Sequence, residues 1–199
     1  MITGVVLAAG RGERFRAPKL LHAVAGKPLV GHTVGNCLDS SLDAVVVVVG
    51  PPGGDVEEAI RAAFPDQRLS FAYNEAPERG QMSSLKTGLH AIPAAATAAG
   101  IFLGDMPLVS AGIIDCLLDA HRRGGRLVVP VCEGQWRHPR IIPATQFADF
   151  LALEDDDKGS GVIERYAAEV VEVNVGEVWN FLDVDTSQDF ARVKAILGA

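Results

Sequence analysis

Apolar residues in this chain gather into short uninterrupted runs, separated by longer stretches in which they recur every three or four positions. The runs are Ile2–Leu7, Ala44–Val49, Leu69–Tyr73, Gly100–Leu103 and Leu127–Val131, and Val45 to Val49 are five consecutive valines. β-branched runs of this length, with no polar alternation, predict strands buried on both faces, as in a parallel sheet between two helical layers. Helices are predicted over Pro28–Cys37, Asp55–Ala63, Ser83–Ala91 and Ile113–Arg122. Pro28 suits a first helical position, where its missing N–H costs no bond, and Ser110 is placed to cap the segment after it. The alternation of strand and helix predicts right-handed crossovers and an open α/β sheet.

The rhythm loosens after about residue 132. Trp136 to Pro143 reads as a strand bracketed by turns, Glu154 to Gly159 as an acidic loop, and Glu169–Val175 as an alternating strand. Thr186 to Leu197 reads as a closing helix with Phe190, Val193 and Leu197 on one face. The alanine-rich Ala94–Ala99 is the one biased tract. With no linker and no repeat, residues 1–199 read as a single domain.

Composition narrows the function classes. The 199 residues are 48% hydrophobic and 22% charged, a globular balance that excludes disorder. A net charge of −7 argues against a nucleic-acid partner. No apolar stretch reaches the roughly 18–20 residues that span a bilayer, and Ile2 to Leu7 lacks the basic flank of a secretion signal. Three scattered cysteines, Cys37, Cys116 and Cys132, predict reduced, buried thiols and a cytoplasmic location.

The strongest chemical signal follows the first strand. Leu7-Ala8-Ala9-Gly10 leads into Gly12 and a cluster of cations, Arg11, Arg14, Arg16 and Lys19. Small residues let backbone N–H groups approach an anion, and the cations neutralise phosphate oxygens. Neither a Walker loop nor a dinucleotide fingerprint fits, because Lys19 lies between Pro18 and Leu20 and the third glycine is missing at Phe15. Asp105, in Phe102-Leu103-Gly104-Asp105-Met106-Pro107, stands at a strand end and suits either Mg²⁺ or a turn. Asp183 and Asp185 are one residue apart and face one side if extended; either suits a metal, and Asp185 or Thr186 equally suits a helix cap. Asn74 follows the third strand, and Ser83 and Ser84 follow Gly80 at a helix start, fit for a nucleotide or for plain capping. His138-Pro139 sits among Trp136, Arg137 and Arg140 and reads as packed or solvent-facing.

In this order, and over nearly the whole chain, the segments resemble the MobA/MocA-like nucleotidyltransferases, and within them the molybdenum cofactor cytidylyltransferase branch. The resemblance is carried by Leu7 to Gly10 with Arg14 and Lys19 to Leu21, by Gly80 to Lys86, by Gly104 to Pro107, by His138-Pro139 and by Asp183 to Thr186. It implies a Rossmann-like three-layer α/β/α fold, with residues up to about 131 binding nucleotide and the remainder binding acceptor and closing the domain. It implies that Leu7, Ala8, Ala9, Gly10, Gly12, Arg14, Lys19, Asn74, Ser83 and Ser84 bind a nucleoside triphosphate. Arg14, Lys19 and Asp105 serve catalysis, Asp105 and Asp185 hold Mg²⁺, and His138 and Arg140 face the acceptor.

The implied reaction transfers CMP from CTP to the terminal phosphate of molybdopterin cofactor, with a molybdoenzyme as recipient of the product. Leu-Ala-Ala-Gly replaces the Leu-Ala-Gly-Gly of guanylyl-transferring relatives, and the Ala9 methyl favours cytosine over guanine by narrowing the space against the base. GTP as donor, a sugar phosphate or other small phosphate ester as acceptor, and a non-catalytic cofactor carrier are the rival readings. The departures from the family pattern, Arg137 and Arg140 beside His-Pro, Asp156-Asp157-Lys158-Gly159, and Thr186-Ser187-Gln188-Asp189, all fall in the acceptor half.

Overall fold

The computed structural model describes residues 1–10, 19–51, 54–157 and 159–198. In chain order the elements are β1 (Ile2–Leu7), β2 (Ala23–Val24), β3 (Lys27–Pro28), α1 (Leu29–Asp39), β4 (Ala44–Val49), α2 (Gly54–Ala63), β5 (Leu69–Tyr73), α3 (Gln81–Ala91), β6 (Ala98–Leu103) and α4 (Ala111–Gly124). There follow β7 (Val128–Cys132), β8 (Gln135–Trp136), β9 (Arg140–Pro143), α5 (Phe147–Leu151), α6 (Ser160–Arg165), β10 (Val171–Asn174) and α7 (Ser187–Leu197). The main sheet runs β10-β7-β9-β6-β1-β4-β5, with β8 paired to β7; β2 and β3 form a separate hairpin. β5, β4, β1 and β6 are mutually parallel, β9 runs against both β6 and β7, and β10 is parallel to β7. This is the mostly parallel three-layer α/β/α sheet expected.

The five valines of β4 show why the run had to be a central strand. Val45, Val47 and Val49 enter the core shared with α1, α2 and α4, while Val46 and Val48 enter the core beneath α3, α5 and α6. All five are buried, and each fully buried valine is worth about 1.5 kcal/mol or more. α3 lies so close to the sheet that a Cβ on Gly88 would come within 2.3 Å of Val5 Cγ1. A third, smaller core joins Val24 and Leu29 to Leu108, Val184 and Val193, fastening α7 over the β2–β3 hairpin.

The second half departs from expectation in detail. The single strand expected over Trp136 to Pro143 is two short ones, β8 and β9, and the strand expected over Glu169–Val175 opens with a tight turn at Ala167–Glu169. Leu182 to Asp185 belongs to no strand. Ser110 does cap α4, its hydroxyl accepting from Ile113 N at 3.4 Å. The cysteines are free, and Cys37 and Cys132 are buried, but Cys116 is exposed, contrary to expectation, because it falls on the outer face of α4. Among the described residues no helix is long and apolar enough to cross a membrane.

Candidate active site

Parallel strands send their following loops to one edge, and backbone bonds fix where those loops begin. Ala8 N donates to Val48 O at 2.8 Å, Asn74 N to Val49 O at 2.8 Å and Gly104 N to Leu7 O at 2.9 Å. The chain after Leu7, Asn74 and the Gly104-Asp105 turn therefore gather at the carboxyl edge, where open α/β sheets bind ligands. Ala8 and Ala9 are themselves buried, and the Ala8 N–H is taken by Val48 O. Gly12 and Arg14, with Arg11 and Arg16, lie outside the described residues.

Lys19 is the centre of this edge. It opens a tight turn, Lys19–Leu21, and its Nζ donates to Asp105 Oδ2 at 2.8 Å and to Asp185 Oδ1 at 3.3 Å. The lysine side chain is 10% exposed, against 25% for Asp105 and 46% for Asp185. Burial works against its charge, but attraction and hydrogen bonding to Asp105, then to Asp185, outweigh burial and hold its pKa above the usual lysine value. The aspartates are brought together by Val184 N, which donates to Asp105 O at 3.0 Å. Thr186 and Asp189 cap α7 reciprocally: the Thr186 hydroxyl accepts from Asp189 N at 3.2 Å and Asp189 Oδ2 accepts from Thr186 N at 2.9 Å. Capping thus falls to Thr186 and leaves the Asp185 carboxylate to Lys19. Asp183 is exposed.

Two convergent carboxylates supply part of the oxygen donor set of a hard divalent cation, whose remaining ligands would be phosphate and water oxygens. Among the described residues no group of three or more His, Cys, Asp and Glu side chains forms a cage. The Asp105–Asp185 pair therefore fits a metal that arrives with a triphosphate, better than one held by protein alone.

Asn74, Ser83 and Ser84 form one buried network. Asn74 Nδ2 donates to both serine hydroxyls, at 2.8 and 2.9 Å, and Asn74 Oδ1 accepts from Ala76 N at 3.0 Å. Ser83 Oγ donates in turn to Gly80 O at 2.7 Å. Neither serine is the helix cap that the sequence suggested. α3 starts two residues earlier, at Gln81, and Gly80 precedes it with φ of 127°, where a Cβ would lie 2.3 Å from Asp155 O. Asp155 clasps this turn, pairing with Lys86 at 2.9 Å and Arg79 at 3.1 Å. The hydrogen bond from Lys86 holds the Asp155 carboxyl below the usual range.

Beside the edge lies a cavity of about 50 Å³ between α3, the sheet and α6. Leu7, Gln81, Met82, Leu85, Ile101, Ile142, Phe150, Asp157, Gly159 and Ile163 line it, with His138 and Arg140. Burial, and then the neighbouring Arg140 charge, push the His138 imidazole down to about 4. Burial also lowers Arg140. Sequence reasoning missed Gln81, which opens α3 two residues before the expected start, and Phe150 and Ile163, which lie on the short helices α5 and α6. It also missed Asp155, although the acidic loop it belongs to was visible.

A mostly parallel sheet with helices on both faces is the α/β nucleotidyltransferase fold, and solved structures share it. Rv0371c from Mycobacterium tuberculosis H37Rv superposes with a TM-score of 0.82 at 29% identity, over 98% of this chain and 97% of that one. Its complex with manganese gives a TM-score of 0.76 at 26% identity, over 98% of each chain. The 4-diphosphocytidyl-2C-methyl-D-erythritol synthase of Anaerococcus prevotii DSM 20548 shares the fold, with a TM-score of 0.80 at 16% identity over 100% of this chain and 96% of that one. The chain belongs to the MobA-like NTP transferase domain family, which it matches over residues 4–170. Among curated relatives, the bifunctional protein GlmU of Kineococcus radiotolerans is 34% identical over 177 residues, which are 87% of this chain and 34% of that protein. The chain thus spans about a third of that relative's length.

Proposed function

We propose that this chain is a metal-dependent nucleotidyltransferase that joins the nucleoside monophosphate of a triphosphate to the terminal phosphate of a small acceptor. The Asp105–Lys19–Asp185 cluster at the carboxyl edge carries this reading. An acceptor phosphate oxygen attacks the α-phosphorus, the bond to the bridging β-oxygen breaks, and pyrophosphate leaves. The nucleophile is already an anion, so the protein's task is in-line positioning and charge neutralisation rather than proton removal. Asp105 and Asp185 hold Mg²⁺ or a similar ion, which when bound neutralises phosphate charge and supports the leaving group. Lys19, with Arg14, answers the triphosphate; the backbone of Leu7 to Gly10, with Gly12, cradles it. The Asn74–Ser83–Ser84 network shapes the nucleoside side, and His138 and Arg140 face the acceptor.

The motif resemblance supports CTP as donor and molybdopterin cofactor as acceptor. A second acceptor class, a sugar phosphate or another small phosphate ester, is supported by the departures in the acceptor half and by the similarity to GlmU. GTP in place of CTP belongs to the same chemistry. Pyrophosphate release, measured with CTP and GTP in the presence of Mg²⁺ and of each acceptor in turn, separates these readings. Release that requires one acceptor and prefers one nucleotide identifies both; no release with any pair overturns the transferase reading. Asp105→Asn is expected to lower kcat by about 10²-fold or more and also to lower Tm, because Lys19, 10% exposed, loses its nearest counter-charge. Near-normal turnover in that variant overturns the metal assignment.

A further inference from the structure

The cavity beside the carboxyl edge contains a charge that the protein does not answer. Its walls are largely apolar, with Leu85, Ile101, Ile142 and Phe150 among them, yet the Arg140 side chain faces into it. Arg61, Arg68, Arg79, Arg122, Arg165 and Arg192 each pair with a carboxylate. Arg123 and Arg126 stand in solvent. Among the described arginines only Arg137 and Arg140 are partly buried with no ion pair, and the Nε of each is buried without a hydrogen-bond partner. His138 Nδ1, between them in the chain, is buried and unpartnered too. The one carboxylate in the cavity lining, Asp157, is turned to its own loop, accepting from Gly159 N at 2.7 Å.

An unpaired guanidinium in an apolar wall is costly. The chain has 25 acidic residues against 18 lysines and arginines, so carboxylates to neutralise it are plentiful. A cation left uncompensated among them is suited to a guest. The position separates that guest's charge from the reacting phosphate. Arg140 pairs in the sheet with Ile101, four residues before Asp105, a distance of up to about 13 Å along a strand. Arg140 lines the cavity, and its Nε is buried. A cavity of about 50 Å³ accepts on the order of three to five water centres, the room of a single ring or a short branched chain.

We infer that Arg140 anchors a second anionic group of the acceptor, a carboxylate or phosphate carried on a compact apolar body, distinct from the phosphate that reacts. The assignment to an acceptor rests on the transferase reading; the anion site itself does not. The test is titration of the metal-free protein, at constant ionic strength, with benzoate, phenyl phosphate and the neutral benzyl alcohol, followed through the Arg140 Nε–H resonance. At least one anion is expected to shift that resonance and to bind ten-fold or more tighter than the alcohol. Arg140→Met is expected to lose that preference, Arg140→Lys to keep part of it, and Arg140→Met to melt at or above the wild-type temperature because an unpaired charge has left an apolar wall. The anion that wins tells carboxylate from phosphate. Equal binding of the alcohol, an unmoved resonance at millimolar anion, or unchanged anion binding by Arg140→Met overturns the site. Anion binding without pyrophosphate release from any nucleotide and acceptor pair overturns the transferase reading alone.

Discussion

Lys19 holds together two carboxylates that would otherwise repel, with contacts of 2.8 and 3.3 Å. Its ammonium bridges them, so the two carboxylates converge on one point. His138 shows the opposite device, a basic group kept uncharged. Its folded pKa, about 4, lies below the ordinary value of 6.5, so from pH 6.5 down to about 4 the unfolded chain takes up the proton and the folded one does not. Stability therefore falls as pH falls through that window, by about 2 kcal/mol at pH 5 and about 3 kcal/mol at its lower end. Urea denaturation at pH 7 and pH 5 is expected to show this loss in the wild type and a smaller one in His138→Gln. An equal loss in both proteins would place the acid sensitivity elsewhere.

At the scale of elements, the start of α7 decides whether Asp185 is available. The reciprocal cap between Thr186 and Asp189 satisfies the first N–H groups of the helix, so the preceding carboxylate need not. Thr186→Ala is expected to cost about 1 kcal/mol, a fall in Tm of about 2–4 °C for a chain of this size. Calorimetry checks the figure, and an unchanged Tm would mean that docking alone holds the helix start. This cap was legible in the sequence as one of two readings of Asp185-Thr186; what decided between them was the lysine at the far end of the chain. β4 was legible outright, because five valines leave no polar face. α5 and α6 were not: at five and six residues neither completes the two turns from which a helical period can be read. The β2–β3 hairpin, with two residues in each strand, escaped for the same reason. The surroundings of His138 were hidden because its neighbours come from β6 and β9, pairing across some forty positions of sequence.

For the whole molecule, three cores do separate work. Two fill the faces of the sheet and set the carboxyl edge. The third, around Leu29, Leu108, Val184 and Val193, fixes the segment bearing Asp185 against the segment bearing Asp105. Leu108→Ala is expected to cost about 2–5 kcal/mol and, because Leu108 and Val184 share this core, to weaken Mn²⁺-nucleotide binding as well. Destabilisation with undiminished Mn²⁺-nucleotide affinity would show that the position of Asp185 does not depend on this core. The sequence singled out Lys19 as one of four cations after the first strand and through the family resemblance, and Asp105 and Asp185 as carboxylates at a strand end and before a helix. It did not show that the lysine meets the aspartates, since a contact across 86 and 166 positions has no local signature.

That separation sets an order of assembly. During synthesis the sheet can form around β1, β4 and β6 while the segment carrying Asp185 is still inside the ribosome, and until α7 docks Lys19 has only one of its two anions. The site is thus the last part of the domain to be completed, and a partly made chain could be well folded across its sheet yet lack the paired carboxylates on which the chemistry depends.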